Sequence, residues 1–241
     1  MLLKCNYIIM ETSPKEEDKQ LNKSSKLLSS TVKYKGRFLS YLEKEYEITE
    51  NGKKSNYTWE SVEYNMSHCK HAHFGISIIP FIKSTNELVI IANFRYPLGK
   101  YCLEFPAGMV DNKDISKDGD VEEIVKKAGE RELLEETGYI GHFKSYLMLP
   151  NAGNPITFLT HVYSDPWKSN DTCVPCLFEI PDENSKKDKQ NLDECEIIKV
   201  FKVKKENLLA FITEKIKSGD YVCSNQLYYL AIGFQFNSIC P

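Results

Sequence analysis

The 241-residue chain has no long apolar run. Its opening stretch, Met1 to Met10, offers only brief apolar pieces broken by Lys4 and Asn6. These are too short for a signal-peptide core, and far short of the ~20 residues a helix needs to cross a bilayer. The expectation is a soluble, non-secreted protein of the cytoplasm, with the nucleus also open to it. Charge of one sign is not in excess either, since 31 Lys and Arg stand against 34 Asp and Glu for a net charge of −3. Such a balance provides no global attraction to nucleic acid or to an anionic membrane, and neither is expected as a partner. The eight cysteines, at positions 5, 69, 102, 173, 176, 195, 223 and 240, lack the tight repeated spacing of a disulfide scaffold. A chain this long does not need one, so reduced thiols are expected. No internal repeat is present.

What the chain does have is 41% hydrophobic and 27% charged residues, the composition of an ordinary globular protein. Residues 1–35 read as a mobile leader, because 11–32 are rich in Lys, Glu, Ser and Asn without a period. Residues 36–66 read as a small antiparallel β subdomain, a hairpin of Arg37 to Ile48 and Tyr57 to Met66 about Asn51-Gly52. Residues 67–241 read as the main domain. Its strands are expected over His73 to Ile82, Glu87 to Phe94, Tyr101 to Phe105, Lys144 to Leu149, Ile156 to Tyr163 and Cys195 to Val203. A helix is expected over 121–137, where Ile124, Val125, Ala128 and Leu133 keep a 3.6-residue period and Gly138 ends it. Two more are expected over 205–217 and 221–235. The lysine-rich stretch 168–193, with Pro175 and Pro181, reads as an excursion. The order of elements points to an α+β fold.

The chemistry sits on the 121–137 helix. Glu132, Glu135 and Glu136 are related by i,i+3 and i,i+4, which brings three carboxylates to one side. Acidic runs on helices are usually solvated faces. Here the like charges repel unless a cation compensates, and magnesium, which takes a few carboxylates and keeps positions for water and phosphate, is the natural one.

Gly129-Glu-Arg131-Glu132-Leu-Leu-Glu135-Glu136-Thr-Gly138-Tyr139 resembles the second half of the Nudix box, Gly-x5-Glu-x7-Arg-Glu-U-x-Glu-Glu-x-Gly-U, with U aliphatic or aromatic. Glu123 stands at the x7 distance before Arg131, but fourteen residues separate it from Gly108 instead of five. The stretch Asp111 to Gly119 therefore reads as a surface insertion ahead of the helix. Gly129, inside the helix, costs about 1 kcal/mol against Ala unless close packing compensates. Trp59-Glu60, Phe94-Arg95-Tyr96-Pro97 and Glu104-Phe-Pro-Ala107-Gly108 resemble the animal ADP-sugar pyrophosphatase branch of the Nudix superfamily.

That resemblance implies a Nudix fold, a mixed β-sheet between helices with an N-terminal antiparallel β-hairpin subdomain. It implies metal ligands at Ala107 (carbonyl), Glu132, Glu135, Glu136 and Glu196, with Mg2+ as cofactor and Mn2+ as a substitute. Glu136, Glu196, Glu194 and Arg131 are the implied catalytic group, and the choice of general base between Glu194 and Glu196 stays open. Substrate contacts are implied at Phe38, Trp59, Glu60, Arg95, Glu104 and Gly153, with adenine stacked between aromatics of two subunits in a homodimer. Tyr64 replaces a family arginine. The implied reaction is hydrolysis of an ADP-sugar, chiefly ADP-ribose to AMP and ribose 5-phosphate. Alternatives are another nucleoside diphosphate derivative, a non-catalytic nucleotide-binding protein, or a zinc site built on Cys173-x-x-Cys176 with Cys69, His68, His71 and His73.

Overall fold

The computed structural model describes residues 23–65, 74–115, 121–146, 162–186 and 189–239. The chain divides into two units, residues 1–71 with 163–172 and residues 72–162 with 173–241.

The first unit holds an antiparallel sheet in the order β1 (Lys23–Lys35), β2 (Leu39–Glu50), β3 (Lys53–Tyr64). Asn51 and Gly52, at φ 51° and 77°, make the tight turn that the sequence marks between β2 and β3. The expected leader is corrected here, because its residues 23–35 form β1. Every residue of β1 is exposed, so no apolar alternation announces it. Backbone pairing with β2, from Lys23 opposite Glu50 to Lys35 opposite Ser40, holds the strand. Cross-strand ion pairs Lys23–Glu50 (3.4 Å) and Lys33–Glu43 (2.6 Å) add to it. The 163–172 segment joins this unit through the Val62 amide, which donates to the Lys168 carbonyl at 2.8 Å.

The second unit is built on β4 (Gly75–Ile82), β5 (Glu87–Arg95), β6 (Lys100–Glu104), β7 (Ala107–Met109), α1 (Val121–Thr137), β8 (His142–Tyr146), β9 (Val162–Tyr163), β10 (Thr172–Ile180), β11 (Ile198–Lys204), α2 (Leu208–Lys217), β12 (Tyr221–Cys223) and α3 (Asn225–Ile239). The sheet runs β12-β6-β5-β4-β10-β8, with β11 on β5, β7 on β4 and β9 on β10. Leu88 to Ala92 of β5 are at most 3% exposed, so this strand is covered on both faces. On one face Leu88, Ile90 and Ala92 join Leu208 and Ile212 of α2 and Leu227 and Ala231 of α3 in the core. α1 packs against β4 and β7.

Two expectations are overturned. The 168–193 stretch is no excursion, because β10 pairs parallel with β4, from Cys173 opposite Gly75 to Ile180 opposite Ile82. The lysines lie outside it, Lys168 before and the others after, while Val174, Cys176, Phe178 and Ile180 alternate as its buried face. Pro175, which has no N–H to donate, precedes the described pairing with β8, which begins at Cys176. The terminal helix starts at Asn225, because Tyr221–Cys223 pair parallel with Tyr101–Leu103 as β12. The expected strand over 156–163 lies outside the described residues except for β9.

Gly129 shows why α1 tolerates a glycine in its middle. A Cβ there would lie 2.2 Å from Cζ of Phe178, a ring with no exposure. The close approach of α1 to β10 needs a residue with no side chain. Gly129→Ala is therefore expected to destabilise the fold by about 1–3 kcal/mol through overpacking, despite the better helix propensity of Ala. Thermal unfolding checks this, and Phe178→Leu should recover part of the loss; a more stable Gly129→Ala variant would contradict the packing argument.

Candidate active site

The carboxylate helix is organised by one guanidinium. Arg131 Nε donates to Asp114 Oδ1 (3.0 Å), Nη2 to Asp114 Oδ2 (2.8 Å) and the Met109 carbonyl (3.1 Å), and Nη1 to Glu132 (2.6 Å) and Glu135 (3.0 Å). These bonds use all five donors of the arginine fork. Burial opposes the Arg131 charge, but Asp114 and Glu132 outweigh it and hold the group more firmly protonated than usual. Asp114 is 3% exposed and sits in a 3-10 turn over Asn112–Asp114, fixed by a capping box with Asp111. Lys113 of the same turn lies 3.6 Å from Glu135. Glu135 is thus committed to Arg131 and Lys113.

Glu136 is buried and Glu132 partly covered. Burial pushes the Glu136 carboxyl up to about 9; the Ala107 amide, donating to it at 2.9 Å, works the other way, and the charges of Glu132, Glu196 and Glu104 add to the rise. Burial likewise raises Glu132 to about 7; Arg131 opposes this, while Glu135 and Glu196 reinforce it. A Cβ on Gly108 would lie 2.0 Å from Cδ of Glu132, so only glycine leaves room for that carboxylate.

The end of α1 is tied to the loop that follows β10. Gln190 Nε2 donates to the Glu136 carbonyl and the Asn191 amide to the Glu135 carbonyl (2.9 Å), satisfying acceptors a helix leaves open. The same loop carries Glu196, whose Oε2 accepts from the Asp193 amide (3.0 Å) in a turn closed by Glu196 N–H to the Asp193 carbonyl (3.0 Å). The Glu196 charge therefore bears on both Glu132 and Glu136. Glu194 is exposed.

Among the described residues, no three acidic, histidine or cysteine side chains are gathered at metal-holding distance. The donor chemistry of Glu132, Glu136 and Glu196 nevertheless fits a hard divalent ion, since all three offer carboxylate oxygens and burial disfavours the charges of Glu132 and Glu136. The zinc alternative does not fit. Cys173 and Cys176 stand three apart on β10, hence on opposite faces, and burial pushes the Cys176 thiol up to about 12, against the thiolate zinc requires. Cys69, His68, His71 and His73 lie outside the described residues.

Of the expected substrate contacts, Arg95 and Glu104 meet across β5 and β6 in a two-pronged pair, Nε–Oε1 and Nη2–Oε2 both 2.8 Å. Arg95 is half exposed and Glu104 is largely covered. In the first unit Phe38 and Trp59 are 54% and 55% exposed. Trp59 lies opposite Lys44 on β2, six residues beyond Phe38, or roughly 20 Å along the strand, so the two rings of one chain do not share a base. Glu60 pairs with Glu43 in register and accepts from the Tyr41 hydroxyl, which raises the Tyr41 pKa. Gly153 lies outside the described residues.

No family model matches the chain. It is 30% identical over 187 residues to a nudix hydrolase of Caenorhabditis elegans, an alignment spanning 75% of this chain and 74% of that protein. The chain belongs to the Nudix hydrolases. An uncharacterized Nudix hydrolase of Schizosaccharomyces pombe is 32% identical over 148 residues, spanning 60% of each chain. The ADP-sugar pyrophosphatase of Mus musculus is 34% identical over 134 residues, covering 54% of this chain and 53% of the mouse protein. The solved structure of an ADP compounds hydrolase shares the fold at TM-score 0.50 and 16% identity, over 89% of this chain and 95% of the other.

As a Nudix hydrolase, the chain has an acid that sequence reading missed. Glu123, which stands at the box distance from Arg131, is half-buried and pairs with Lys127 at 3.5 Å. The acid that bonds Arg131 is Asp114, which stands at the box distance from Gly108, with five residues between them. The extra residues of this Nudix box therefore follow Asp114 instead of preceding it. The spacing from Gly108 was the available signal, and Glu123 masked it by fitting the spacing to Arg131.

Asp114→Asn should lower magnesium affinity roughly 10- to 100-fold by loosening Arg131, while Glu123→Gln should leave it unchanged. Calorimetric titration of both variants decides the register, and equal losses would contradict it. A second expectation concerns pH. Because the fold favours the protonated forms of Glu132 and Glu136, that stability is complete below the ordinary value of 4.5 and is lost as pH rises through about 7 and about 9. Melting temperature in EDTA should fall between these limits, and saturating Mg2+ should flatten the slope.

Proposed function

We propose that this Nudix hydrolase cleaves the diphosphate of ADP-sugars, chiefly ADP-ribose to AMP and ribose 5-phosphate, as a Mg2+-dependent homodimer in which Mn2+ can substitute. The observation that carries the reading is the carboxylate cluster on the last turns of α1, Glu136 buried and Glu132 partly covered, each raised by burial and by the charge of Glu196. The ADP-sugar preference is supported by the mouse ADP-sugar pyrophosphatase relative, together with Glu104-Phe-Pro-Ala-Gly108 and Arg95 in this chain.

Glu132, Glu136, Glu196 and the Ala107 carbonyl would hold the cation, which supplies neutralisation of charge on the phosphorus oxygens. The chain's own groups do the rest. Arg131 fixes the Glu132 carboxylate so that it cannot swing away from the site. The Ala107 amide fixes Glu136. Arg95 exchanges the two oxygens of Glu104 for two phosphate oxygens, a geometry its planar fork matches. Of the two candidate bases Glu196 is favoured, since its charge bears on Glu132 and Glu136 while Glu194 is exposed, and its carboxylate takes the proton of the attacking water. A water oxygen bonds to one phosphorus, the bridging P–O bond breaks, and the leaving phosphate departs with the electron pair. Adenine stacks on Trp59, with Phe38 of the partner subunit as the second ring, since the two rings of one chain lie too far apart.

Product analysis after incubation with Mg2+ and, separately, ADP-ribose, ADP-glucose, UDP-glucose, NADH and diadenosine polyphosphates tests the substrate class. AMP released mainly from the ADP-sugars is the expected result. Turnover of the others alone would overturn the preference. Glu136→Gln should lose at least 100-fold in kcat with the fold intact, because a neutral amide cannot replace the carboxylate. In EDTA at high pH the same variant should melt above the parent, having lost a buried charge. Near-parental turnover would refute the assignment.

A further inference from the structure

The sequence contains two tryptophans, Trp59 and Trp167, and both lie in the first unit. Both are exposed, at 55% and 66%, although tryptophan is usually among the more covered side chains. They come from segments 108 residues apart, yet Trp59 Nε1 donates to the Trp167 carbonyl at 2.9 Å. That bond sets the plane of the Trp59 indole beside the Trp167 backbone.

Trp167 is also held firmly. A tight turn surrounds it, with the amides of Lys168 and Ser169 both donating to the Asp165 carbonyl at 3.1 and 3.0 Å. The turn is stitched to β3 by the Val62 amide and a bridge between Val62 and Ser169. Lys168 pairs with Asp165 and places its ammonium 5.3 Å from the centre of the Trp167 ring, occupying one face. Tyr57, two residues before Trp59 on β3 and so on the same strand face, is 57% exposed. Three aromatic side chains are thus presented to solvent, two of them on a sheet strand and the third on an anchored turn. Rings carried on an anchored backbone, or held by an indole N–H, lose less entropy on meeting a flat partner than rings on a free chain.

We propose that Trp167 forms part of the nucleobase platform beside Trp59, so that the purine of the nucleotide lies on a surface built by two segments of the same chain. This deepens the reading of the chain as an ADP-sugar hydrolase and rests on it. Its occupant is a purine ring, because an electron-rich indole stacks on an electron-poor heterocycle and tolerates it without hydrogen-bond readout. The Trp59 bond to the Trp167 backbone survives replacement of the Trp167 side chain, so the contribution of the second ring can be separated from the orientation of the first.

The presence of two tryptophans makes the test direct. In the full-length chain, Trp59→Phe leaves Trp167 as the reporter and Trp167→Phe leaves Trp59. Each is titrated with AMP and followed by intrinsic fluorescence, while Trp167→Ala and Trp167→Tyr are measured by calorimetry with AMP. The expected result is quenching in both single-tryptophan variants, a roughly tenfold weaker AMP dissociation constant in Trp167→Ala, and recovery toward the parent in Trp167→Tyr. Quenching of Trp59 alone, with the AMP affinity of Trp167→Ala unchanged, overturns the proposal and leaves the hydrolase reading intact. Quenching of neither tryptophan overturns both the platform and the adenine contact at Trp59. Dissociation of an oligomer by Trp167→Ala with AMP affinity unchanged also overturns it, and makes the surface a contact between copies of the chain.

Discussion

Arg131 is the constraint on which the site depends. One planar group bonds to a strand carbonyl at Met109, to a buried acid in a separate turn at Asp114, and to two carboxylates of its own helix. Lysine could not replace it, having three donors on a flexible stem and no fork. Breaking the hub would leave Asp114 a covered charge with the Asp111 amide in place of a counter-ion, which costs far more than the loss of a surface ion pair. The narrow space at Gly108 has the same origin, because the carboxylate that fills it is held there by Arg131.

The helix has an electrostatic problem that its surroundings solve. Its last turn carries no basic residue and ends in Glu135 and Glu136, at the end where the backbone dipole is already negative. Lys113 and Arg131 neutralise Glu135 from outside the last turn. Gln190 and Asn191 satisfy the carbonyls beneath both glutamates. Among the described residues Glu136 receives only the Ala107 amide, and burial leaves it with a charge it does not readily keep. Stability is given up at that point, as is usual where a protein does chemistry.

Much of this was legible in the sequence, and the exceptions share a cause. The helix over 121–137 was readable to the residue because apolar spacing, carboxylate spacing and Gly138 agree. The β2–β3 hairpin was readable because Asn51-Gly52 dictates its turn. β1 was not, since a strand held by backbone pairing and exposed charge pairs has no apolar period to detect. β10 was concealed by Pro175 and by the lysines after it, although its buried alternation is regular. In the site, the carboxylate cluster of Glu132 and Glu136 was readable from local spacing and Arg131 from the resemblance to the Nudix box, whereas the contact of Asp114 with Arg131 needs knowledge of which loop folds back onto the helix. Trp167 approaches Trp59 only through long-range pairing, which local spacing does not encode.

The parallel pairing of β4 with β10 also bears on how the chain is made. β4 ends at Ile82 and β10 begins at Thr172, so about 90 residues must be synthesised between them. At about 5–20 residues per second, Ile76, Ile78 and Ile82 wait roughly 5–20 s for the neighbour that covers them. Loop closure over that separation makes the pairing a slow, late contact. During translation, β4 is thus a strand with one open edge and an apolar surface.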